Sequence, residues 1–317
     1  AGYNLWGVKG QDGSFDLSKI ITGSQGTLGV ITEITLKTAE YNENTTLLVG
    51  YFDSLESAGE AVLKLEALAP SAMELVDYHL LSFLQKHKPG MLDGLVPPAL
   101  PKIVLLIEFD NTSRLQQTLK LHRAQKILAK LASSTRVAKA KQEQERLWQI
   151  RHSAAAVIWM NQGTKKALPI IEDGVVPIKK LPQFLDAVYA LLDKYGLEIA
   201  VWGHAGDANF HMQPFLDLAK VEDQGTVFKV MDEFYAMVME MGGSTCGEHN
   251  DGLLRAPYLK KLYGKDMYGL FEQVKHIFDP QGILNPNIKL GITRERQEEL
   301  LRKEYSMSHL YDHMPRL

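Results

Sequence analysis

Two short segments carry the densest chemistry in the chain. The first, Gly203-His204-Ala205-Gly206-Asp207-Ala208-Asn209-Phe210-His211, holds two histidines. On one continuous strand their odd spacing puts them on opposite faces. On a helix it puts them two turns, roughly 10 Å, apart. A two-residue hairpin at Asp207-Ala208 instead sets His204 opposite His211, with Cβ atoms about 4.5–5.5 Å apart, a separation that suits two imidazoles sharing one metal ion. Gly206, Asp207 and Asn209 supply the turn chemistry. The competing reading is two unrelated histidines beside a turn. The second segment is Gly242-Gly243-Ser244-Thr245-Cys246-Gly247-Glu248-His249-Asn250-Asp251-Gly252. Glu248 can add an anionic third ligand, and two His with one carboxylate fit Zn or Mn with positions left open. His249 would then stand beside the metal as a proton acceptor. The competing reading is a glycine-rich helix end with solvated Glu and His. Cys246 reads as a small buried thiol rather than a nucleophile.

Other candidates are weaker on their own. Glu172-Asp173 ends an apolar run (LPIIEDGVVP) and reads more readily as a polar strand end than as an acid–base or metal pair. Arg151, within a helical stretch, could fork onto a substrate carboxylate, although a surface salt bridge is the plainer reading. Gly23-Ser24-Gln25-Gly26-Thr27-Leu28-Gly29-Val30-Ile31-Thr32 is a turn before a strand whose amides could line a cofactor. Phe278–Pro286 reads as a helix stop followed by a tight turn.

The elements that must hold these residues alternate between strand and helix. Strands are expected at Leu28–Leu36, Thr46–Phe52, Ala72–Val76, Ile103–Phe109, Thr135–Ala138, within Lys166–Pro177, and at Glu198–Gly203 and Ala208–Gln213. Helices are expected at Ser54–Leu68, Ser113–Leu131, Gln142–Met160, Leu181–Tyr195 (entered through Pro182) and Val227–Met241. The pattern predicts an α+β sandwich, with helices on one face of a largely antiparallel sheet. The charged stretch Arg294–Leu317 reads as a surface helix or arm.

Composition narrows the function classes. The 317 residues carry 35 Lys+Arg and 38 Asp+Glu, a formal charge of -3, which gives no general drive toward nucleic acid or anionic lipid. No apolar run approaches the ~18 residues of a membrane span. A single cysteine excludes an intrachain disulfide and any cysteine-ligated iron–sulfur centre. The expectation is a cytoplasmic chain, with attachment to the periphery of the inner membrane as the alternative. The first residues, Ala1-Gly2-Tyr3-Asn4, carry neither an initiator Met nor a signal pattern, and read as a cut inside a longer protein.

Taken together and in this order, GSQGTLGVIT, EDGVVP, GHAGDANFH, GGSTCGEHNDG and FDPQGILNP resemble the FAD-linked oxidase family, which includes D-lactate, glycolate and D-2-hydroxyglutarate dehydrogenases. The resemblance implies a substrate domain with a ferredoxin-like antiparallel sheet at residues 43–290. Residues 1–42 would be the C-terminal remnant of an FAD-binding domain, and 291–317 a charged tail. It implies FAD, which this chain would not retain without the upstream loops, and a divalent metal, Zn or Mn, on His204, His211 and Glu248. Gly23, Ser24, Gln25, Gly26, Thr27, Gly29, Val30, Ile31 and Asn285 would face the flavin. His249 would take the hydroxyl proton of a D-lactate-like 2-hydroxy acid while hydride passes to the flavin, with Arg151 on the carboxylate and Asn209 lining the pocket. Glycolate or D-2-hydroxyglutarate oxidation, or a catalytically silent metal-binding domain, are the alternatives. The electron acceptor would be a quinone, an electron-transfer flavoprotein or an iron–sulfur protein, and the tail could serve a homodimer. Gln25, Cys246, Asn250 and Ile171 depart from the family pattern and leave the substrate open.

Overall fold

The computed structural model describes residues 1–111, 113–158 and 165–303. After a short helix α1 (Ser18–Ile21), the chain runs β1 (Thr46–Phe52), α2 (Leu55–Glu66), β2 (Ala72–Asp77), α3 (Tyr78–His87), β3 (Ile103–Phe109), α4 (Arg114–Leu128) and β4 (Ser134–Ala138). It continues through α5 (Lys141–Ile158), β5 (Lys166–Ala167), α6 (Leu181–Tyr195), β6 (Ile199–His204), β7 (Asn209–Leu216), α7 (Val221–Glu240), α8 (Gly252–Arg255), α9 (Leu259–Phe278) and α10 (Arg294–Leu300).

The strands form one sheet in the order β4-β1-β3-β2-β6-β7-β5, and every pair is antiparallel. The order β4-β1-β3-β2 is that of a ferredoxin-like unit. The β5-α6-β6-β7-α7 run repeats the same plan, and the two halves meet where β2 pairs with β6. Val175 prolongs the β5 side of the second unit, bridging Asn209 on one flank and Ser244 on the other. Ser244 thus takes the fourth-strand position, which brings the glycine-rich segment after α7 back against the sheet. The expected α+β class with a ferredoxin-like antiparallel sheet is the fold that forms, but the helices expected on one face lie on both, with α3 and α5 on the second because those strands carry apolar residues on each side.

Strand alternation divides the core. Leu48, Phe52, Met73, Leu75, Ile103, Leu105, Ile107, Val201, Phe210 and Met212 face a layer built by α2, α4, α6 and α7. Leu47, Val49, Val76, Val104, Leu106, Ala200 and Trp202 face the other way, where α3 and α5 cover them. The helices follow from local signals. Ser54 caps α2 by accepting Ser57 N–H at 3.1 Å, and Ala58, Ala61, Val62 and Leu65 form its buried stripe. Pro182 opens α6 and left-handed Gly196 closes it. Helix α3 has no counterpart among the expected elements. Asp77 caps it through Leu80 N–H at 2.9 Å.

A third cluster joins Tyr3, Val8, Ile20 and Leu28 to Phe271 of α9, so the first 28 residues pack on the C-terminal segment. Residues 29–45 form no strand, and Val30, Ile34 and Leu36 are exposed. This corrects the strand expected at Leu28–Leu36: the β-rich pattern finds no partner strand among the described residues. Only Lys166–Ala167 forms a strand within Lys166–Pro177, and Met160 lies outside the described residues. Helix α10 is docked as well as charged, with Gln297 buried and the Arg294 guanidinium 4.6 Å from the Phe228 ring. No helix among the described residues is long and apolar enough to cross a membrane.

Burial lifts the Asp77 carboxyl to about 6, with Leu80 N–H and Tyr189 only partly offsetting it. Its unfolded value is about 4. The native state therefore holds the extra proton between these values, and this contribution to stability, complete below about pH 4, is lost as pH rises through about 6. Urea unfolding should show Asp77→Asn gaining on the wild type between about pH 5 and about pH 7.5. A difference that does not change with pH would contradict this.

Candidate active site

The two histidines of the first motif reach one face by a different route from the one expected. The turn is Ala205–Ala208, not a two-residue loop, and His204 lies opposite Asn209 while His211 lies opposite Trp202. The pairing is two residues away from the expected register. A shift of two preserves the face, where a shift of one would have reversed it. His204 and His211 are therefore diagonal neighbours, with ring centroids 5.5 Å apart. Gly203 permits the close crossing, because a Cβ there would meet Asn209 O at 2.4 Å and Phe210 Cα at 2.7 Å.

The second motif is brought in by Glu172 and Asp173. Asp173, buried and left-handed (φ 64°), accepts Glu248 N–H and His249 N–H on its two carboxylate oxygens, each at 2.9 Å. Its carbonyl accepts Gly247 N–H at 2.8 Å. Gly247 is needed at this point, since a Cβ would lie 2.1 Å from Asn209 Nδ2. Glu172 holds the ring of His249, with Nδ1 at 3.0 and 3.1 Å from its oxygens, and Arg255 pairs with it at 3.1 Å. Burial alone would raise the Glu172 pKa, but the adjacent imidazoles of His211 and His249 and the charge of Arg255 bring it to about 2.

Glu248 Oε1 sits 3.2 Å from His204 Nε2, 3.0 Å from His211 Nε2 and 3.4 Å from His249 Nε2. Among the described residues, two triads have ligand atoms all within 4.8 Å of one another: His204, His211 and Glu248, and Glu172, His211 and His249. The first uses the ring nitrogens that converge. The second would draw on a Glu172 already engaged by His249 and Arg255.

Beside this cluster lies a cleft of about 510 Å³, bordered by Trp148, Arg151, Trp202, His211, Gln213 and His249. Arg151 Nε donates to Glu74 Oε2 at 2.7 Å, and Glu74 Oε1 meets His204 Nδ1 at 2.6 Å. The Glu74 hydrogen bond raises the His204 pKa against the opposing effect of burial. Gln213 Oε1 is buried and has no hydrogen-bond partner among the described residues.

Of the residues expected at the site, His204, His211, Glu248, His249 and Arg151 come together. Asn209 borders a neighbouring cavity, but its amide is committed to Asp173 at 3.2 Å. The turn at Gly23, Ser24, Gln25, Gly26 and Thr27 is joined to the residues after His249: Asn250 Nδ2 donates to Gly23 O at 2.7 Å, and Gly252 N–H to Gln25 Oε1 at 3.0 Å. Asn285 Nδ2 donates to Gln25 O at 2.6 Å. Gly29, Val30 and Ile31 lie on the strandless segment beyond. Asn250 adopts the left-handed conformation (φ 65°). Ile171 is wholly buried in the core, so its identity does not bear on the cleft. Cys246 is buried, which pushes its thiol up to about 11. The reading of Glu172-Asp173 as a polar strand end is overturned. Sequence reasoning misses Glu74 and Arg255; Glu74 is 130 positions from the histidine it meets.

Residues 41–288 match the family described as FAD linked oxidases, C-terminal domain, and the chain belongs to that family. It is 29% identical over 276 residues to the glycolate oxidase subunit GlcD of Bacillus subtilis, covering 86% of this chain and 56% of that protein. It is 29% identical over 290 residues to the D-2-hydroxyglutarate dehydrogenase of Escherichia coli, covering 86% and 28% respectively. To the D-lactate dehydrogenase of Archaeoglobus fulgidus it is 26% identical over 280 residues, covering 88% and 59%. The chain thus spans little more than half the length of two of these relatives and under a third of the other. Among solved structures, the 4-ethylphenol oxidase of Gulosibacter chungangensis aligns with a TM-score of 0.58 at 14% identity, over 80% of this chain and 55% of that one. That likeness concerns the fold alone. The family is one of FAD linked oxidases, and the relatives named above are, by their names, a glycolate oxidase subunit and two hydroxy-acid dehydrogenases.

Asp173→Asn keeps a residue that tolerates the left-handed backbone but sets an amide donor against a backbone N–H. The loss should be about 1–3 kcal/mol in urea unfolding, with faster hydrogen exchange at Glu248 and His249. Unchanged stability and exchange would contradict the assigned role.

Proposed function

We propose that this chain is the substrate-binding part of an FAD-dependent dehydrogenase of D-2-hydroxy acids of the D-lactate type. The observation that carries the reading is the convergence of three imidazole Nε2 atoms on Glu248 Oε1, within 3.4 Å, beside a cleft bordered by Arg151. In this reading residues 1–42 complete an FAD-binding domain and 43–290 form the substrate domain. His204, His211 and Glu248 would hold the divalent ion, Zn or Mn. When bound, the ion supplies Lewis acidity toward the substrate hydroxyl, and the flavin accepts the electrons.

The remaining work belongs to the protein. Arg151 offers its terminal nitrogens to the substrate carboxylate, because its Nε is already on Glu74. His249 takes the hydroxyl proton at Nε2. Its Nδ1 faces the ionised Glu172, which holds the ring and stabilises the imidazolium that forms. Trp148 and Trp202 limit water on the cleft side. The turn at Gly23–Thr27, hydrogen-bonded next to His249, would be the part of this chain that faces the flavin. In this reading the electron acceptor is a quinone, an electron-transfer flavoprotein or an iron–sulfur protein.

The test is dye reduction by the full-length, FAD-loaded protein with a panel of D-2-hydroxy acids. D-Lactate or a close homologue should be turned over, and His249→Gln should lower kcat by about 10²–10⁴-fold. Arg151→Lys, which gives up the planar fork, should act mainly by raising KM. No turnover of any 2-hydroxy acid, or full activity in His249→Gln, would overturn the reading.

A further inference from the structure

Glu74 comes to the site from β2, in the first half of the sheet, whereas the candidate metal ligands belong to the second. It lies directly across from His204 in the β2–β6 pairing, at the junction of the two halves. Its side chain is only 10% exposed, and both oxygens are occupied: Oε1 by His204 Nδ1 at 2.6 Å, and Oε2 by Arg151 Nε at 2.7 Å. Arginine only donates, so Oε2 accepts. Oε1, a carboxylate oxygen, likewise accepts, which keeps a proton of His204 on Nδ1 and leaves Nε2, 3.2 Å from Glu248 Oε1, as the nitrogen that would give up its hydrogen bond to an ion.

We infer that Glu74 is a positioning residue that ties the metal ligand His204 to the carboxylate grip Arg151, fixing the histidine tautomer and the spacing between the two groups. The inference rests on the metal-centred reading above. A carboxylate suits this place because it provides two acceptors, one for each neighbour. Glutamine provides one. Its oxygen would go to Arg151, leaving its NH2 against Nδ1 and driving the proton of His204 to Nε2, where it blocks the ion. Glu74 also neutralises Arg151 in part, so substrate carboxylate binding comes to depend on the ion.

The experiment is a Co²⁺ titration of the metal-stripped chain, wild type and Glu74→Gln, followed by visible absorption, with circular dichroism and thermal unfolding alongside. Glu74→Gln should keep the wild-type fold by circular dichroism, at a lower unfolding midpoint, but bind Co²⁺ about 10–100-fold more weakly. Nitrogen NMR of the metal-free proteins should show Nδ1 of His204 protonated in the wild type and unprotonated in the variant. Equal Co²⁺ affinity in the two proteins would overturn the Glu74 assignment and leave the metal reading standing. If the wild type takes up no Co²⁺, the metal reading fails and the assignment fails with it. Should Glu74→Gln not fold, the wild-type ring decides: a protonated Nδ1 supports the assignment and an unprotonated Nδ1 overturns it.

Discussion

Two adjacent buried carboxylates, Glu172 and Asp173, anchor a loop that approaches from the far end of α7. Asp173 receives two consecutive backbone N–H groups, and Glu172 receives the imidazole that follows from them. Burying a carboxylate is costly unless its oxygens are satisfied. Here the donors include the backbone of Glu248 and the backbone and ring of His249, with Asn209 and Arg255 beside them, so groups proposed to do the chemistry also relieve the burial. The position of the candidate ligand Glu248 and the orientation of His249 both follow from this constraint.

The sheet supplies the other half of the geometry. Because β6 and β7 are joined by the Ala205–Ala208 turn, His204 and His211 share the face that also carries Trp202, Gln213 and, across β2, Glu74. That face is covered by α5, which lowers Arg151 onto Glu74. Each half of the duplicated fold therefore contributes: the first gives Glu74 and the α5 cover, and the second gives the histidines, the carboxylate pair and the elbow. Apolar packing on the opposite face, from Phe184, Phe210 and Phe234, supports the second half beneath the polar cluster.

The local part of this site is legible in the sequence. His204 and His211 sit in one nine-residue motif, and Glu248 and His249 in another, so spacing and turn chemistry are enough to pair them. The expected register is off by two, which costs nothing because face depends only on parity. Glu172-Asp173 is undervalued because sequence does not display burial, and a carboxylate at the end of an apolar run looks the same whether solvated or caged. Glu74 cannot be found by spacing, since only the non-local pairing of β2 with β6 brings it to His204. The strand expected at Leu28–Leu36 has the right composition and lacks a partner among the described residues. Helix α3 is marked by Asp77 followed by Leu80, Leu81 and Leu84, a cap and apolar stripe that a reading centred on the strands passes over.

The most direct measurement is a crystal structure of the chain grown with Mn²⁺ or Zn²⁺, with the ion located by anomalous scattering. The account predicts one strong peak within bonding distance of His204 Nε2, His211 Nε2 and a Glu248 oxygen, with His249 beside it and its Nδ1 still on Glu172. A peak held instead by Glu172, His211 and His249, or no peak in the cluster, would contradict it.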